Sequence, residues 1–465
     1  MDSAGDYLDD LSGFAAGLRF SALPGEVREH TAWVLADTLA AIVAGSAEPE
    51  VGALATVLSS SEQGDATLPG LGRRASADNA ALINGTAGTF LEMDEGNRFS
   101  RGHPCIHVLP AVMALAETDG ADAEAFLSGL VVGYEIGSRL GAASRVRGGF
   151  HPHGTWGTVG AGAACARLLE QSPQTMRETI NIASSLTTAS SKRTMLEGGL
   201  VRNVYAGMSN RNGLLALNLA QCRFSGERDG PGTLLGELIS DHFDRAAAKA
   251  DLGSNWHILQ NYFKLHSCCR YNHGTLDALD AIAIREGLPD PGSIERILVE
   301  SYHLAAELND PTPRNTLAAK FSVPFAVATR IVRGSSALSS FTWDAVRDPA
   351  TLALARRVSV IEDPAMTARL PAERPARVTL YTRDGRQQVG EVGINRGDDA
   401  SPYTQDELRV KFLELTSRVW PRSHGEAVLQ TTLDLCAGRR TFSEWIELLR
   451  RPSSAPMQQL VGVRS

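Results

Sequence analysis

The stretch Asp37-Thr-Leu-Ala-Ala-Ile-Val-Ala-Gly-Ser46 belongs to a segment in which apolar residues recur every three or four positions. The apolar residues that set this interval are Val34, Leu35, Leu39, Ile42 and Val43. Such spacing predicts a helix with a broad buried face, and glycine at position 45 is typical of a helix end. The segment therefore predicts a helix in the interior of the protein.

Further segments of the first half repeat this pattern and are rich in alanine and glycine. They span residues 78–91, 109–117, 124–140, 160–170, 174–185 and 213–221. Small side chains let helices approach closely, and the apolar faces are too broad for isolated amphipathic helices. The first half therefore predicts a compact bundle of helices.

The character of the chain changes near residue 290. The segments Ile294–His303 and Ala376–Thr382 are rich in β-branched and aromatic residues, which predicts strands. Asp384-Gly385 predicts a turn that leads into a returning strand over Gln387–Val392. Between the strands, residues 316–332 have the pattern of one helix.

These patterns predict a mainly α protein with a smaller α+β part. We expect a helical domain over residues 1–268, an α+β domain over 269–402, and a return to the helical domain over 403–465. The chain has 465 residues, enough for two such domains.

Composition excludes several classes of function. The net charge of −8, without a run of lysine or arginine, argues against nucleic acid as a partner. We find neither the roughly 20 uninterrupted apolar residues that a membrane helix needs nor the pattern of a signal peptide, and we therefore expect a cytoplasmic protein without a membrane partner. The six cysteines have no CxxC spacing, which favours buried thiols over a disulfide framework.

Three short segments concentrate polar residues that suit proton transfer. They span residues 92–104, 148–156 and 264–274, and each contains at least one histidine. Proton transfer near neutral pH uses histidine or a perturbed lysine, and a developing enolate needs nearby cations or hydrogen-bond donors. Taken singly, each segment is equally compatible with an ordinary polar loop.

Metal and cofactor chemistry find little support in the sequence. His103 and His107 have the i, i+4 spacing of zinc ligands, but Pro104 stands where the HExxH motif has glutamate, and no third ligand follows at a recognisable distance. The chain also lacks a phosphate-binding glycine loop and a GxSxG nucleophile elbow. The sequence therefore predicts an active site with neither metal nor cofactor.

These segments, taken in order, resemble the MmgE/PrpD family. Residues 202–213 and Lys320-Phe-Ser-Val-Pro-Phe-Ala-Val-Ala328 extend the resemblance, which covers about residues 8–450. It implies a large helical domain with an inserted α+β lid, a homodimer, and a cofactor-free active site in the cleft between the domains.

The resemblance also implies a small polycarboxylate substrate. Activities in the family include 2-methylcitrate dehydration, cis-aconitate decarboxylation and iminodisuccinate epimerisation. Asp94 and His103 fall on the acidic-loop motif of the family, and His151 falls on its Phe-His-Pro motif. Lys264 falls on the lysine before the cysteine-containing loop, and His273 on the histidine that closes this loop.

Two departures from the family pattern lead us to expect an isomerase. The acidic loop usually reads Asp-Phe-Asp-Asp-Thr, whereas this chain has Glu92-Met-Asp94-Glu95-Gly96 and lacks the threonine hydroxyl. Arg202 replaces a lysine, and arginine grips a carboxylate but does not act as a base. An epimerase such as iminodisuccinate epimerase needs no acid directed at a leaving hydroxyl, which fits the missing threonine.

The predicted site residues therefore form two sets, one catalytic and one that binds the substrate. The predicted catalytic residues are Lys264, His151, His103 and Asp94, and the predicted substrate-binding residues are Arg202, Arg98, Arg270, His266 and His273. The first alternative is a hydro-lyase or decarboxylase of a tricarboxylate related to 2-methylcitrate or cis-aconitate. A non-catalytic binding protein is the second, and it would have no use for two titratable groups around its ligand.

Overall fold

The computed structural model describes residues 6–59, 64–188 and 190–453, and helices dominate this part of the chain. The helices of the first half are α1 (Tyr7–Gly17), α2 (Gly25–Gly45), α3 (Pro49–Leu58), α4 (Ala77–Thr89), α5 (Leu109–Asp119), α6 (Ala123–Ala142), α7 (Trp156–Leu168), α8 (Pro173–Ser185), α9 (Arg193–Leu196), α10 (Val204–Gln221), α11 (Gly230–Thr233) and α12 (Arg245–Lys249). The prediction of a mainly α protein is confirmed.

The second half begins with a mixture of helices and strands and ends with helices. Its helices are α13 (His273–Glu286), α14 (His303–Ala306), α15 (Thr316–Lys320), α16 (Val323–Arg333), α17 (Trp343–Val346), α18 (Pro349–Ala355), α19 (Pro364–Thr367), α20 (Gln405–Thr416), α21 (Arg422–Cys436) and α22 (Phe442–Leu449). The strands of the whole chain are β1 (Ala66–Leu68), β2 (Arg73–Ala75), β3 (Gly96–Asn97), β4 (Ser144–Val146), β5 (Ser240–Phe243), β6 (Asn261–Tyr262), β7 (Ile294–Ser301), β8 (Val358–Glu362), β9 (Ala376–Thr382) and β10 (Gln387–Val392).

Glycines set the distance between the central helices α4 and α10. A Cβ atom added at Gly85 would lie 2.7 Å from the Cα of Gly207, and one added at Gly207 would lie 2.3 Å from the carbonyl oxygen of Leu82. Both distances are far below a van der Waals contact, so only glycine allows the two backbones to pack this closely.

Helix α2 is almost wholly buried after its first turn and ends at Gly45, as its sequence predicts. In the described ranges no single helix is long and apolar enough to span a membrane. Only α2 and α3 taken together reach that length and hydropathy, and the chain bends by 87° between them.

The four-stranded sheet of the second half has the order β10-β9-β7-β8. β9 pairs antiparallel with both β7 and β10, and β8 runs parallel to β7. The turn between β9 and β10 places Gly385 at φ 82°, a left-handed conformation that favours glycine. The predicted strands over β7, β9 and β10 are confirmed, while β8 was missed because its short segment lacks a clear alternation.

The prediction of one helix over residues 316–332 is wrong, because two helices share that segment. α15 ends at Lys320, and α16 begins at Val323. The hydroxyl of Ser322 accepts a hydrogen bond from the backbone N–H of Phe325, which caps α16. Pro324 lies in the first turn of α16, where its missing N–H costs nothing.

Two apolar cores hold the described residues together. The larger core combines residues from α1–α8 and α10 with residues of the three last helices, including Phe412, Val428 and Trp445. The smaller core lies around the four-stranded sheet, α13 and α16, and includes Leu279, Val299 and Phe325. The domain boundaries at 268 and 402, and the description of the second part as a lid, stay predictions.

Candidate active site

A short antiparallel ladder fixes the acidic loop that follows α4. β3 pairs with β6, and Gly96 lies opposite Tyr262. A Cβ atom at position 96 would come within 2.3 Å of the hydroxyl oxygen of Tyr262. The chain therefore has no room for a threonine here, which explains its departure from the family motif.

Asp94 and His103 form a contact at the end of this loop. The Oδ2 atom of Asp94 lies 2.8 Å from the Nδ1 atom of His103, and both side chains are buried. Burial alone would raise the pKa of Asp94, but the charges of His103 and Lys264 outweigh this effect and lower the pKa to about 2. Asp94 is therefore a carboxylate at neutral pH and can orient the imidazole ring.

Glu92 connects the two buried cations Arg202 and Lys264. It forms an ion pair with Arg202, and its Oε2 atom lies 3.5 Å from the Nζ atom of Lys264. Lys264 also donates to the carbonyl oxygen of Glu92 at 3.2 Å and lies 3.9 Å from Asp94. Burial opposes ionisation of Glu92, but Arg202 and Lys264 outweigh it and lower the pKa of this carboxyl group. The negative charges of Glu92 and Asp94 thus offset the positive charges of Arg202 and Lys264.

The loop before α7 presents two more histidines. The backbone N–H of His151 donates to the carbonyl oxygen of Ser190 at 2.8 Å, and the hydroxyl of Ser190 donates to the carbonyl oxygen of His153 at 3.0 Å. The backbone N–H of His153 in turn donates to Nδ1 of His151 at 3.0 Å. This bond uses Nδ1 of His151 as an acceptor.

The imidazole rings of three other histidines surround that of His153. Its ring centroid lies 4.6 Å from that of His151, 4.7 Å from that of His103 and 5.0 Å from that of His107. Burial, followed by the charge of Arg202, lowers the pKa of His151 and of His153 well below the ordinary value. Burial and then the charge of His103 lower the pKa of His107 to about 3.

A second group of side chains surrounds Tyr262. The guanidinium carbon atoms of Arg270 and Arg374 lie 4.6 Å and 5.5 Å from the centre of its ring. Arg270 also forms an ion pair of 2.9 Å with Asp398. The ring of His103 lies edge-on to Tyr262 at 6.2 Å, so this tyrosine links the arginines to the histidines.

Side chains from the acidic loop, from the loop before α7 and from the surroundings of Tyr262 line one cavity of about 100 Å³. Its charged lining consists of six cationic side chains and one carboxylate, namely Arg101, Arg147, Lys192, Arg202, Arg270, Arg374 and Glu92. The histidines of the lining are His103, His151 and His153. Such an excess of cations in a small cavity suits a ligand with several negative charges.

The predicted site residues divide into two sets. The residues that line the cavity are His103, His151, Arg202 and Arg270, and those that lie outside the lining are Asp94, Lys264, Arg98, His266 and His273. Asp94 and Lys264 contact residues of the lining, as does His273, whose Nδ1 atom lies 3.1 Å from Arg270. Arg98 instead pairs with Asp399. The catalytic and substrate-binding roles of these residues stay predictions.

Several lining residues were not predicted from the sequence, among them Tyr262, Arg374 and His153. His153 stands two residues after His151 in the polar segment over residues 148–156, which was a visible signal for it. Tyr262 ends β6 and Arg374 lies two residues before β9, and no sequence motif singles out either residue. Only the tertiary structure brings them together.

One group of potential metal ligands occurs among the described residues. Ligand atoms of His266, Asp277 and Asp280 lie within 4.8 Å of one another. Each residue already has a protein partner: Nδ1 of His266 lies 2.6 Å from the hydroxyl of Ser336, Asp277 accepts from the N–H of Arg396 at 2.9 Å, and Asp280 pairs with Arg330 at 2.7 Å. We assign no metal to this group, and the absence of a metal or cofactor stays a prediction.

Curated relatives align with nearly the full length of the chain. The cis-aconitate decarboxylase-like protein oryM of Aspergillus oryzae is 25% identical over 93% of this chain and 95% of its own. Cis-aconitate decarboxylase of Aspergillus terreus is 25% identical over 96% of both chains, and that of Mus musculus is 25% identical over 80% of this chain and 78% of its own.

The expectation of an isomerase is therefore wrong, because the relatives from Aspergillus terreus and Mus musculus are named as decarboxylases, which are lyases. A particular similarity to iminodisuccinate epimerase is likewise not shown. The missing threonine misled the prediction, because a decarboxylase expels carbon dioxide and has no leaving hydroxyl to protonate either. The missing threonine therefore does not distinguish an epimerase from a decarboxylase.

The family itself is shown by two domain matches. The MmgE/PrpD N-terminal domain matches residues 9–230, and the MmgE/PrpD C-terminal domain matches residues 266–435. Since these two ranges make up most of the chain and include both the histidine loops and the arginines around Tyr262, the protein belongs to the MmgE/PrpD family.

Proposed function

We propose that the protein is a lyase that removes carbon dioxide from a small unsaturated tricarboxylate related to cis-aconitate. The observation that carries this proposal is the lining of the cavity, in which six cationic side chains and three histidines face a single carboxylate. Cations attract and hold a trianion, and histidines supply protons near neutral pH. The names of the relatives support the same reaction class.

The proposed reaction requires one proton for each carbon dioxide released. The bond between the departing carboxylate and its carbon breaks, and its electron pair forms a new carbon–carbon double bond. The original double bond shifts its electrons to the far carbon, which takes up a proton. A trianion and a proton thus yield a dianion and carbon dioxide, and no redox equivalent is needed.

We assign the donation of this proton to His103. Its ring lines the cavity, and its Nδ1 atom contacts the ionised Asp94 at 2.8 Å. A carboxylate at Nδ1 orients the imidazole, while Nε2 remains for the substrate. His151 is the second proposed proton-transfer residue. Burial, followed by the charge of Arg202, lowers its pKa well below the ordinary value, so its ring is neutral near pH 7.

Arg202 and Arg270 are the proposed carboxylate ligands nearest to the histidines. Arg202 lies 3.5 Å from Nε2 of His151 through its Nε atom, and Arg270 shares Tyr262 with His103. Lys264 lies behind the lining and holds Glu92 and Asp94 in place. We therefore propose that Lys264 positions the acidic loop, whereas direct proton exchange between this lysine and a substrate stays a prediction.

A panel of small polycarboxylates tests the proposed function. The purified protein is incubated separately with cis-aconitate, 2-methylcitrate and citrate, and released carbon dioxide is measured alongside ultraviolet absorption. We expect carbon dioxide from cis-aconitate or a close unsaturated analogue, and none from the saturated hydroxy acids. Alkene formation from a hydroxy acid without carbon dioxide would instead identify a hydro-lyase and contradict the proposal.

A further inference from the structure

Arg374 stands just before a strand of the four-stranded sheet. It lies two residues before β9, and the next residue, Pro375, accepts a hydrogen bond from the hydroxyl of Ser301 on β7 at 2.8 Å. The side chain of Arg374 is 4% exposed and lines the cavity. The hydrogen bond at Pro375 thus ties the backbone beside this guanidinium to the sheet.

The contacts of Arg374 leave part of its guanidinium unused. Its Nη2 atom donates to the carbonyl oxygen of Arg98 at 3.2 Å, and its guanidinium carbon lies 5.5 Å and 5.6 Å from the ring centres of Tyr262 and Tyr271. These contacts fix the plane of the group. Its Nη1 atom is buried and has no hydrogen-bond partner within the described residues.

Arg374 differs in this respect from the other cations of the cavity. Their carboxylate partners are Asp241 for Arg147, Glu307 for Lys192, Glu92 for Arg202, and Asp398 for Arg270. Arg101 has no ion pair among the described residues, but it is exposed to solvent. Arg374 is the buried cation of the lining for which the described part of the chain supplies no carboxylate. A buried charge without a partner is costly, so such a group is expected to find its partner in a ligand.

We propose that Arg374 binds one carboxylate of the substrate through Nη1 and thereby selects tricarboxylates over dicarboxylates. The inference rests on the proposed function for the identity of the substrate, but the binding step itself does not require turnover. Arg202 and Arg270 are the proposed carboxylate ligands beside the histidines. Arg374 takes part in neither of their ion pairs and supplies an additional position near Tyr262. Planar guanidinium groups suit this task because they match the geometry of a carboxylate.

Binding of unreactive acids tests this inference. Calorimetry measures the dissociation constants of propane-1,2,3-tricarboxylate, pentanedioate and butanedioate, each of which lacks a double bond. The variants are Arg374→Gln, which removes the charge, and Arg374→Lys, which keeps the charge but not the planar fork. The matched control is Arg377→Gln in β9, three residues further along the chain, because Arg377 pairs with Glu300 and Glu391 outside the cavity.

We expect Arg374→Gln to weaken binding of the tricarboxylate roughly 10- to 100-fold, as is typical for a charged hydrogen bond. Binding of at least one dicarboxylate should change less than about threefold, so that the preference for three carboxylates is lost. Arg374→Lys should fall between the wild type and Arg374→Gln, and Arg377→Gln should match the wild type. Circular dichroism checks the fold, and if Arg374→Gln does not fold, Arg374→Lys must show the loss of preference.

Two results would overturn the inference. Equal weakening of all three acids would mean that Arg374 only supports the cavity, and unchanged affinities would mean that it does not touch the ligand. Failure of the proposed function has a different signature. In that case the wild-type protein binds the tricarboxylate with the expected dependence on Arg374 but releases no carbon dioxide from any unsaturated tricarboxylate.

Discussion

The contact between Asp94 and His103 is the residue-scale feature on which the proposed chemistry depends. Replacing His103 by asparagine removes the proton donor, and Asp94→Asn removes the charge that supports it. We expect each change to lower kcat by roughly 10²- to 10⁴-fold, the usual contribution of general acid catalysis, with a smaller effect on KM. Steady-state kinetics with a substrate identified by carbon dioxide release measures both constants.

His424 offers a matched control for these variants. It is also a buried histidine, but it lies 3.0 Å from the carbonyl oxygen of Leu448, at α22, and does not line the cavity. His424→Asn should therefore leave kcat within about threefold of the wild type. A similar loss of kcat in His424→Asn and His103→Asn would show that the effect is one of stability.

Glu95 should make the stability of the protein depend on pH. Burial raises the pKa of this carboxyl group to about 8, although hydrogen bonds from the N–H of Cys105 and the hydroxyl of Tyr134 oppose the shift. In the unfolded chain the group loses its proton near its ordinary value of 4.5. Unfolding therefore releases a proton between pH 4.5 and 8, and the contribution of Glu95 to stability falls as the pH rises.

Glu95→Gln removes this proton release and keeps the size of the side chain. We subtract the wild type's free energy of unfolding from that of the variant at each pH. This difference should be about 2 kcal/mol larger at pH 7 than at pH 5, because only the wild type loses stability over this range. Urea denaturation at both pH values measures the difference. If the difference between variant and wild type is the same at pH 5 and pH 7, Glu95 ionises normally in the folded protein.

At the residue scale, the sequence predicted those site residues that belong to a recognisable motif. His103, His151 and Arg202 were predicted and line the cavity. The sequence did not indicate Arg374. The ion pairs of Arg202 and Arg270 join residues far apart in the chain, so only the fold decides that Arg374 is left without one.

At the scale of elements, the contact between α4 and α10 makes a sharp prediction about glycine. Gly207→Ala should lower the free energy of unfolding by about 1–3 kcal/mol, because its methyl group would meet the backbone of Leu82. Gly13→Ala in α1 is the matched control, since no atom lies within 4 Å of its added Cβ. It should raise stability by about 0.5–1 kcal/mol, the usual gain in an exposed helix.

Urea denaturation measures both glycine variants. Stabilisation by Gly207→Ala equal to that by Gly13→Ala would contradict the close packing of the two helices.

Elements with long periodic patterns were predictable, and short ones were not. The helix ending at Gly45 and the strands β7, β9 and β10 follow from their spacing and turn residues. The break between α15 and α16 was missed although Ser322 and Pro324 signal it, because the apolar pattern continues through both helices. The ladder between β3 and β6 has two residues on each side and depends on the tertiary fold.

At the scale of the whole molecule, the charge distribution separates the cavity from the rest of the protein. The chain has a net charge of −8, whereas the cavity lining has six cations and one carboxylate. Composition predicted the acidic balance but not the cavity, which draws residues from between positions 92 and 374. The homodimer and the cytoplasmic location stay predictions.

The central claim is that the protein releases carbon dioxide from an unsaturated tricarboxylate and adds one solvent proton. Nuclear magnetic resonance of fully ¹³C-labelled cis-aconitate in deuterated water tests it most directly. We predict labelled carbon dioxide and bicarbonate, together with a dicarboxylate shortened by one carbon and carrying one deuterium at the carbon that was protonated. A product that keeps every carbon, whether by addition of water or by exchange of a proton alone, would contradict the claim.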